Sequence, residues 1–448
     1  MSNSTENQNE LRMTALVLLV FQILMIILWG VVTEETFVED DNFGKVYHMF
    51  IGVEIMIFFG FGYLMTFMSR YGVGAVGFTL MIGVVGIQWG ILMEGFFKNM
   101  YHDHWGYVQV NIGNFMDSLH LCAAVLISFG AVIGKVGSLQ LVFLTIFEGF
   151  FYALNKKMLM FDAVLDLVDA GGTISIHMFG AFFGLAVAMV LGKPPSGKAP
   201  AATYIADVFS LVGTIFLWIY WPSFNGGALE PDSQQQQRAI HSTLLGLCAS
   251  TVGTFIVSIL CHPHGKLRPV DLQNATLAGG VATGAVCLLT MNFAASLTIG
   301  FVGGIASAFG FAIIQPALEN KGLHDSCGVL NLHGIPAIVG GVASVILTAA
   351  KGGSNSDQAI LEHGPEQWQH QLFAILLTLG VSILSGLATG FVLKFLGRFQ
   401  TFEYFDDSSF WEHAEEEEHT AAEGAGDKAI LMSETKAANK IHPDGTSS

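Results

Sequence analysis

Charged residues are scarce in this chain of 448 residues. Asp, Glu, Lys and Arg together make up 12% of it, whereas a soluble domain typically carries about 25%. The apolar residues instead form long uncharged runs, many of them about 20 residues long, which matches the roughly 30 Å core of a bilayer. This composition excludes a soluble enzyme and a nucleic-acid-binding protein. It predicts an all-α polytopic membrane protein.

Cysteine is also rare, with five residues that form no Cys-x-x-Cys pair. Because most of them fall inside apolar runs, a disulfide-stapled secreted domain and a zinc framework are both excluded. Positive charge is limited to 19 Lys and Arg residues, against 36 Asp and Glu. The excess of acid is concentrated from Glu403 onwards, where twelve acidic residues stand against three lysines.

The chain divides into three predicted parts. Residues 1–12 form a cytoplasmic N-terminus, residues 13–393 a transmembrane domain of about twelve helices, and residues 394–448 an acidic cytoplasmic tail. The tail includes the run Glu415–Glu418 and has too few apolar residues to bury a core, so we expect it to be disordered. It is a candidate docking segment for a cytoplasmic partner, although a solvated tail without a partner accounts for the same composition.

Twelve hydrophobic segments can be read from the sequence, so both termini lie on the same side of the membrane. In the short loops and at the segment ends, the side with the termini carries ten Lys and Arg residues against six on the other side. This bias places both termini in the cytoplasm. The predicted segments are 13–32, 47–68, 73–93, 109–133, 138–154, 167–191, 203–221, 239–260, 273–289, 296–318, 328–349 and 371–393.

One pattern, D-x-x-G-x-x-x-x-H, occurs twice. It runs from Asp169 to His177 in the sixth segment and from Asp325 to His333 in the eleventh. The second copy lies five segments after the first, an odd number, so the two enter the membrane from opposite sides, as in inverted repeats whose halves meet at the midplane. Eight residues of helix rise about 12 Å, which places each Asp near an interface and each His near the bilayer centre.

The paired histidines are the main candidates for function. A neutral imidazole is far less costly than a charged side chain at the bilayer centre, and two neighbouring rings disfavour protonation of each other. The alternative is that each His only packs helices together by hydrogen bonding. Asp169 and Asp325 are expected to cap their helices, and either carboxylate could also contact a cation.

Two further clusters contain metal-binding residue types. They are His102-Asp103-His104 and Cys261-His262-Pro263-His264. Each supplies few ligands and lacks the spacing of a zinc site, so no metal is predicted.

Several long strings of this chain, in this order, resemble the Rh glycoprotein branch of the ammonium transporter family. The resemblance covers the chain from about the second hydrophobic segment to the last and leaves out the tail. The strings are GFGYLMTF at 60–67, GIQW at 86–89, FGAVIGKV at 129–136, DAGG at 169–172 with His177, YWPSFN at 220–225, NATLAGGV at 274–281 and NLHGIP at 331–336.

The resemblance implies a homotrimer in the plasma membrane, in which each subunit has its own narrow apolar pore for ammonia or ammonium. It implies that His177 and His333 are the twin histidines of that pore. Asp169 matches the acid near the outer vestibule, and Asp325 is its symmetry mate. Phe224 matches one of two stacked aromatic residues that constrict the outer entrance. No cofactor is implied.

One position departs from the family pattern. Where relatives usually have Asn-Ala-Asp-Phe, this chain reads Asp117-Ser118-Leu119-His120, so His120 replaces the second phenylalanine of the gate. An imidazole can stack and hydrogen-bond, but it is polar and titrates. We therefore expect a more hydrated or pH-sensitive gate.

Other functions use the same features. A dry pore would also conduct CO2 or other small neutral molecules. A membrane-embedded metalloenzyme would need further ligands at the depth of the histidines, and a structural scaffold would have no need for the pair. Transport of ammonia, gathered as ammonium and with methylammonium as an analogue, is the predicted function.

Overall fold

The structure is a computed structural model that describes residues 2–37, 40–101, 105–160, 165–195, 202–289, 292–351, 364–399 and 402–412. The chain divides into one unit of residues 1–409 and another of residues 410–448. The fold and the site lie in the first unit. The predicted acidic run Glu415–Glu418 and the cluster at His102–His104 lie outside the described residues.

Within the described ranges, nearly all regular structure is helical. The α-helices are α1 (Ser2–Val32), α2 (Asp40–Ile55), α3 (Gly62–Leu64), α4 (Gly72–Tyr101), α5 (Ile112–Val132), α6 (Ser138–Met160), α7 (Phe179–Leu191), α8 (Tyr204–Gly226), α9 (Gln234–Cys261), α10 (Pro269–Asn274), α11 (Ala278–Gly284), α12 (Phe293–Phe309), α13 (Gln315–Asn320), α14 (Ile335–Lys351) and α15 (Gln367–Leu396).

Short π-helical and 3-10 segments join or extend these helices. The π-helical segments are Met56–Phe61, Thr173–Met178, Gly310–Ile314 and Leu330–Gly334, and the 3-10 segments are Met65–Phe67, Gly364–Glu366, Gly397–Phe399 and Asp407–Ser409. Two short strands, β1 (Thr33–Glu35) and β2 (Val108–Val110), pair in parallel with Thr33 opposite Val108.

Eleven helical stretches in the described part of the chain are long and apolar enough to span a membrane. The predicted polytopic helical class is therefore confirmed. The ninth predicted segment, 273–289, differs because it is built from α10, a turn and the seven-residue α11. Its glycines let it pack deeply: Gly279 approaches Gly246 so closely that a Cβ at Gly279 would clash with the backbone. A broken helix is tolerated at this depth where protein surrounds its backbone.

Two helix boundaries lie further out than predicted. The helix α1 begins at Ser2 rather than Met13, and Thr14 shares a 2.9 Å hydrogen bond with Ser138 of α6. At its other end α6 continues to Met160 instead of ending at residue 154. Lys156, which the sequence places in a loop, therefore lies in the last turns of a helix.

The predicted disordered tail also needs a correction. Residues Phe402–Ser409 pack on the helical unit: Phe405 N–H donates to the carbonyl of Gly134, and Asp407 accepts N–H bonds from Val73 and Gly74. These bonds satisfy donors at the N-terminus of α4, where a carboxylate is favoured by the helix dipole. Composition alone missed this contact because the partners lie between 271 and 334 residues earlier in the chain.

Candidate functional site

The two histidines of the repeated pattern meet inside the helical unit. The Nδ1 atoms of His177 and His333 lie 3.2 Å apart, within hydrogen-bonding distance, and their ring planes differ by 9°. Both side chains are buried, with 1% and 3% of their surface exposed. Two residues that lie 156 positions apart in the sequence are therefore in direct side-chain contact.

The first copy of the pattern begins with a turn that aims the helix. Gly172 has a φ of +66°, and a Cβ there would clash with the Ile176 side chain, so glycine is required. Asp169 Oδ2 then accepts bonds from the backbone N–H groups of Ile174 and Ser175 at 3.0 and 2.8 Å and from the Ser175 hydroxyl at 2.9 Å. These bonds satisfy donors that the helix start would otherwise leave unpaired.

The second copy repeats this arrangement. Gly328 has a φ of +75°, and Asp325 accepts bonds from the N–H groups of Gly328, Val329 and Leu330, each at 3.0 Å. In both copies the His lies in a π-helical segment that continues into an α-helix. The wider π-turn changes the direction of side chains relative to an α-helix and is frequent at functional sites.

The helical rise predicted between each carboxylate and its histidine needs a correction. Asp169 and Asp325 precede their helices, which begin at Thr173 and Leu330 as π-helical segments. A helical rise of eight residues therefore does not separate Asp from His. The glycine in the left-handed region folds the chain back, so that the carboxylate caps the same turn that carries the histidine.

A cavity of about 370 Å³ lies on the Asp169 side of the histidines. We call it the acid-lined cavity; its polar lining includes Asp117, His120, Tyr152, Lys156, Asp169 and Ser175. Asp169 Oδ1 is buried there without a hydrogen-bond partner in the described structure, as are Tyr152 OH and His120 Nε2. Burial raises the pKa of Asp169 to about 6, although the hydrogen bonds from Ser175 and its neighbours act in the opposite direction.

A second, much smaller cavity of about 20 Å³ lies on the His333 side. We call it the apolar cavity; its lining includes Phe61, Leu64, Leu126, Ile127, Leu332 and His333. This volume holds about one water-sized molecule. Because Asp169 lines one cavity and Cys327, two residues after Asp325, lines the other, the two copies of the pattern approach the histidine pair from different cavities.

Aromatic rings connect the two cavities through the histidine pair. The His120 ring lies edge-on to Phe224 with centroids 4.7 Å apart, and Phe224 lies 5.7 Å from His177. On the other side His333 stacks on Phe61 at 6.1 Å. Trp221, which the sequence offered only as part of a matching string, stacks on His177 at 5.6 Å.

Known proteins resemble this chain over most of its length. The model of the Ammonium Transporter Family matches residues 14–415. An ammonium transporter Rh type B of Danio rerio is 37% identical, over 90% of this chain and 94% of its own length, and an ammonium transporter Rh type C of Homo sapiens is 36% identical over 89% of each. The chain belongs to the Rh branch of the ammonium transporter family. The predicted family is confirmed.

Solved structures of the family share the fold. One of them is Nitrosomonas europaea Rh50, whose structure was described with the mechanism of conduction by the Rhesus protein family of channels. The superposition covers 90% of this chain and all of the Rh50 chain, with a TM-score of 0.73 and 30% identity. Mep2 of Candida albicans has a TM-score of 0.65 at 20% identity, which supports the fold alone. An inverted-repeat transporter fold agrees with the paired Asp-Gly-His turns described above.

The structure thus brings His177, His333, Phe224 and His120 into one row, with Asp169 at one end. Asp325 also caps its helix but lines neither of these two cavities, and burial raises the pKa of its carboxyl. Sequence reasoning missed Tyr152, Trp221 and the contact partners of Lys156, because nothing in their local sequence indicates what they face. Among the residues that the structure describes, no group of three or more His, Cys, Asp and Glu side chains could hold a metal ion.

Proposed function

We propose that this protein conducts ammonia across the membrane, recruits it as ammonium in the acid-lined cavity, and passes it along the His177–His333 pair. The observation that carries the proposal is the contact of two buried imidazoles, Nδ1 to Nδ1 at 3.2 Å, between an acid-lined and an apolar cavity. The names of the relatives, ammonium transporters of Rh types B and C, support the same substrate.

Selectivity follows from solvation. Ammonium and potassium resemble each other in size and charge, so a simple cation site would admit both. A charged group at the bilayer centre costs several kcal/mol, on the order of 3 or more even by insertion scales. Neutral ammonia gives up only hydrogen bonds to water, which polar groups in the pore replace. A narrow passage lined by rings therefore favours the neutral base over both cations.

Asp169 is the proposed recruiting group. Its Oδ2 is occupied by the helix turn, whereas Oδ1 is buried without a partner and can accept from an ammonium ion. The face of an aromatic ring such as Phe224 favours a cation over water through its quadrupole. In this proposal the proton leaves before the row of rings, because among the described residues no carboxylate lines the apolar cavity that follows the histidines.

The histidine contact has a consequence for hydrogen bonding. If both rings are neutral, one Nδ1 carries hydrogen and the other accepts it. One ring then has a hydrogen on Nε2 and the other a lone pair there. The pair therefore offers one donor and one acceptor to a passing base without adding charge, and His177 Nε2 is buried without a partner in the described structure.

Assembly and location belong to the same proposal. We infer a homotrimer with one pore per subunit, in the plasma membrane, with both termini in the cytoplasm and no enzymatic activity. The Lys and Arg bias between loops supports the orientation. The structure offers no particular support for CO2 as the main substrate, because an unpaired carboxylate in the entrance suits a cation and gives little to a neutral gas.

The test is reconstitution into liposomes under an outward or inward ammonium gradient, with internal pH and membrane current recorded together. We expect internal alkalinisation on inward flux, faster than in protein-free liposomes, without a matching current. No alkalinisation above the protein-free control would contradict ammonia transport. A current proportional to flux would contradict passage as the neutral base.

The structure corrects the predicted pH-sensitive gate at His120. The side chain is buried, with 5% of its surface exposed, and burial disfavours a charged imidazole. In His120→Phe liposomes we therefore expect the ratio of variant to parent transport to stay constant between pH 5.5 and 8. A phenylalanine can keep the edge-on contact with Phe224, whose ring centroid lies 4.7 Å from that of His120. A ratio that changes over this range would show that His120 titrates at the gate.

A further inference from the structure

A buried ion cluster lies beside the route from solvent to the histidines. Lys156 of α6 reaches between Glu94 of α4 and Asp117 of α5. Its Nζ lies 3.1 and 3.2 Å from the two carboxylate oxygens of Glu94 and 2.9 Å from Asp117 Oδ1. The exposed fractions of the three side chains are 14% for Lys156, 8% for Glu94 and 37% for Asp117. The cluster is therefore shielded by protein on most sides and open on one.

The open side faces the acid-lined cavity. Asp117 and Lys156 both contribute to its lining, as do Asp169 and Tyr152, which lies one helical turn before Lys156. Tyr152 OH and Asp169 Oδ1 have no hydrogen-bond partner in the described structure, whereas three carboxylate oxygens of Glu94 and Asp117 are engaged by Lys156. Of the two carboxylates that line the cavity, Asp117 is thus already engaged by a cation, whereas Asp169 keeps an oxygen without a partner.

The chemistry of the occupying group is that of the proposed substrate. A lysine ε-ammonium is a primary alkylammonium ion with three N–H donors, as in methylammonium, and like ammonium it is a compact, strongly hydrated cation. Three donors directed to two carboxylates form the arrangement that a bound ammonium ion would adopt. The lysine also places a positive charge where an arriving cation would otherwise meet two negative ones.

We propose that Glu94 and Asp117 form a second ammonium position and that the Lys156 side chain fills it as a tethered cation. Lys156 thereby sets the apparent affinity of the entrance: ammonium entering the cavity finds only Asp169, and it finds a positive charge beside it. The inference rests on the proposed function, since it concerns how the same cavity holds its substrate. It assigns to Lys156 a role in affinity rather than in passage through the row of rings.

The test compares half-saturation concentrations for methylammonium in liposomes. Lys156→Gln empties the position and removes the repelling charge, so we expect the half-saturation concentration to fall about fivefold, as for one partly exposed ion pair. The maximal rate should stay the same or fall, because tighter capture does not speed passage. Lys156→Arg, which keeps the charge and the bonds to both carboxylates, should retain the parent value. An unchanged half-saturation concentration in folded Lys156→Gln would overturn the proposal.

Two further variants keep the test valid if Lys156→Gln fails to fold, since it leaves two shielded carboxylates unpaired. The double variant Lys156→Gln/Glu94→Gln removes one of these charges and leaves Asp117 available. The triple variant adds Asp117→Asn and removes the position entirely. We expect a lower half-saturation concentration in the double variant than in the triple. Equal values in the two would overturn the proposal.

A binding measurement separates this inference from the function itself. Methylammonium should raise the melting temperature of detergent-solubilised Lys156→Gln, or of the double variant, at lower concentrations than it does for the parent. This readout does not need transport. A parent that transports no ammonia would contradict the proposed function. If the variants bind methylammonium no more tightly than the parent, the second ammonium position is wrong, whether or not the parent transports.

Discussion

Replacing the two buried, paired histidines with alanine is expected to lower ammonia flux at least about tenfold and to admit potassium. The variant His177→Ala/His333→Ala removes two buried rings and the hydrogen-bonding groups that replace water for a passing base. Water that enters the emptied space solvates ions and lowers their barrier at the bilayer centre. The measurements are internal pH under an ammonium gradient and membrane current under a potassium gradient, in the same liposomes.

The matched control replaces two exposed histidines, His241→Ala/His264→Ala, with the same change in composition away from the row of rings. This control should keep parent flux and parent exclusion of potassium. Unchanged flux together with unchanged potassium exclusion in the pore variant would refute the proposed role of the pair. The single variants should each lose flux, because either substitution removes the 3.2 Å Nδ1–Nδ1 contact.

Substitutions of Asp169 are expected to separate its two roles. Asp169→Ala removes three hydrogen bonds at the start of the helix that carries His177, at a cost of about 1 kcal/mol each. We expect a lower melting temperature and flux near background. Asp169→Asn keeps an oxygen acceptor for the turn and removes the charge. It should stay closer to the parent in stability while its flux at pH 8 falls about tenfold.

The pH dependence tests the charge of Asp169 directly. Burial raises the pKa of Asp169 to about 6, so its carboxylate is charged above pH 6 and neutral below it. The ratio of parent flux to Asp169→Asn flux should therefore be large at pH 7 to 8 and fall towards one as the pH drops below 6. A ratio that does not change across this midpoint would show that the carboxylate charge does not recruit the substrate.

Much of the site could be predicted because its information is local and repeated. The pattern D-x-x-G-x-x-x-x-H marks both His177 and His333. Because the second copy lies an odd number of segments after the first, the two copies enter the membrane from opposite sides and are expected to face each other. The capping by Asp169 was also predictable from residue type. What the pattern could not supply is the left-handed turn at Gly172, which lets the carboxylate cap the first turn of the helix that carries His177 instead of lying eight helical residues before it.

Other features depended on contacts that no local pattern contains. Lys156 reads as a loop cation in the sequence, yet it joins Glu94, which lies 62 residues earlier, inside a shielded cluster. The segment Phe402–Ser409 reads as part of a solvated acidic tail, yet Asp407 caps α4. In both cases the sequence identifies the charged residue but not its burial, because a charge can be buried only where the fold supplies a partner for it.

By itself, the sequence determined the membrane class, the family and the two histidines, since long apolar runs and repeated motifs depend on residues close together in the chain. The tertiary structure alone decided that the two rings meet at Nδ1, that a row of aromatic rings joins an acid-lined to an apolar cavity, and that a lysine pairs with two carboxylates beside the acid-lined cavity. These features arise where helices distant in sequence pack against each other, and burial and partner distances are properties of that packing.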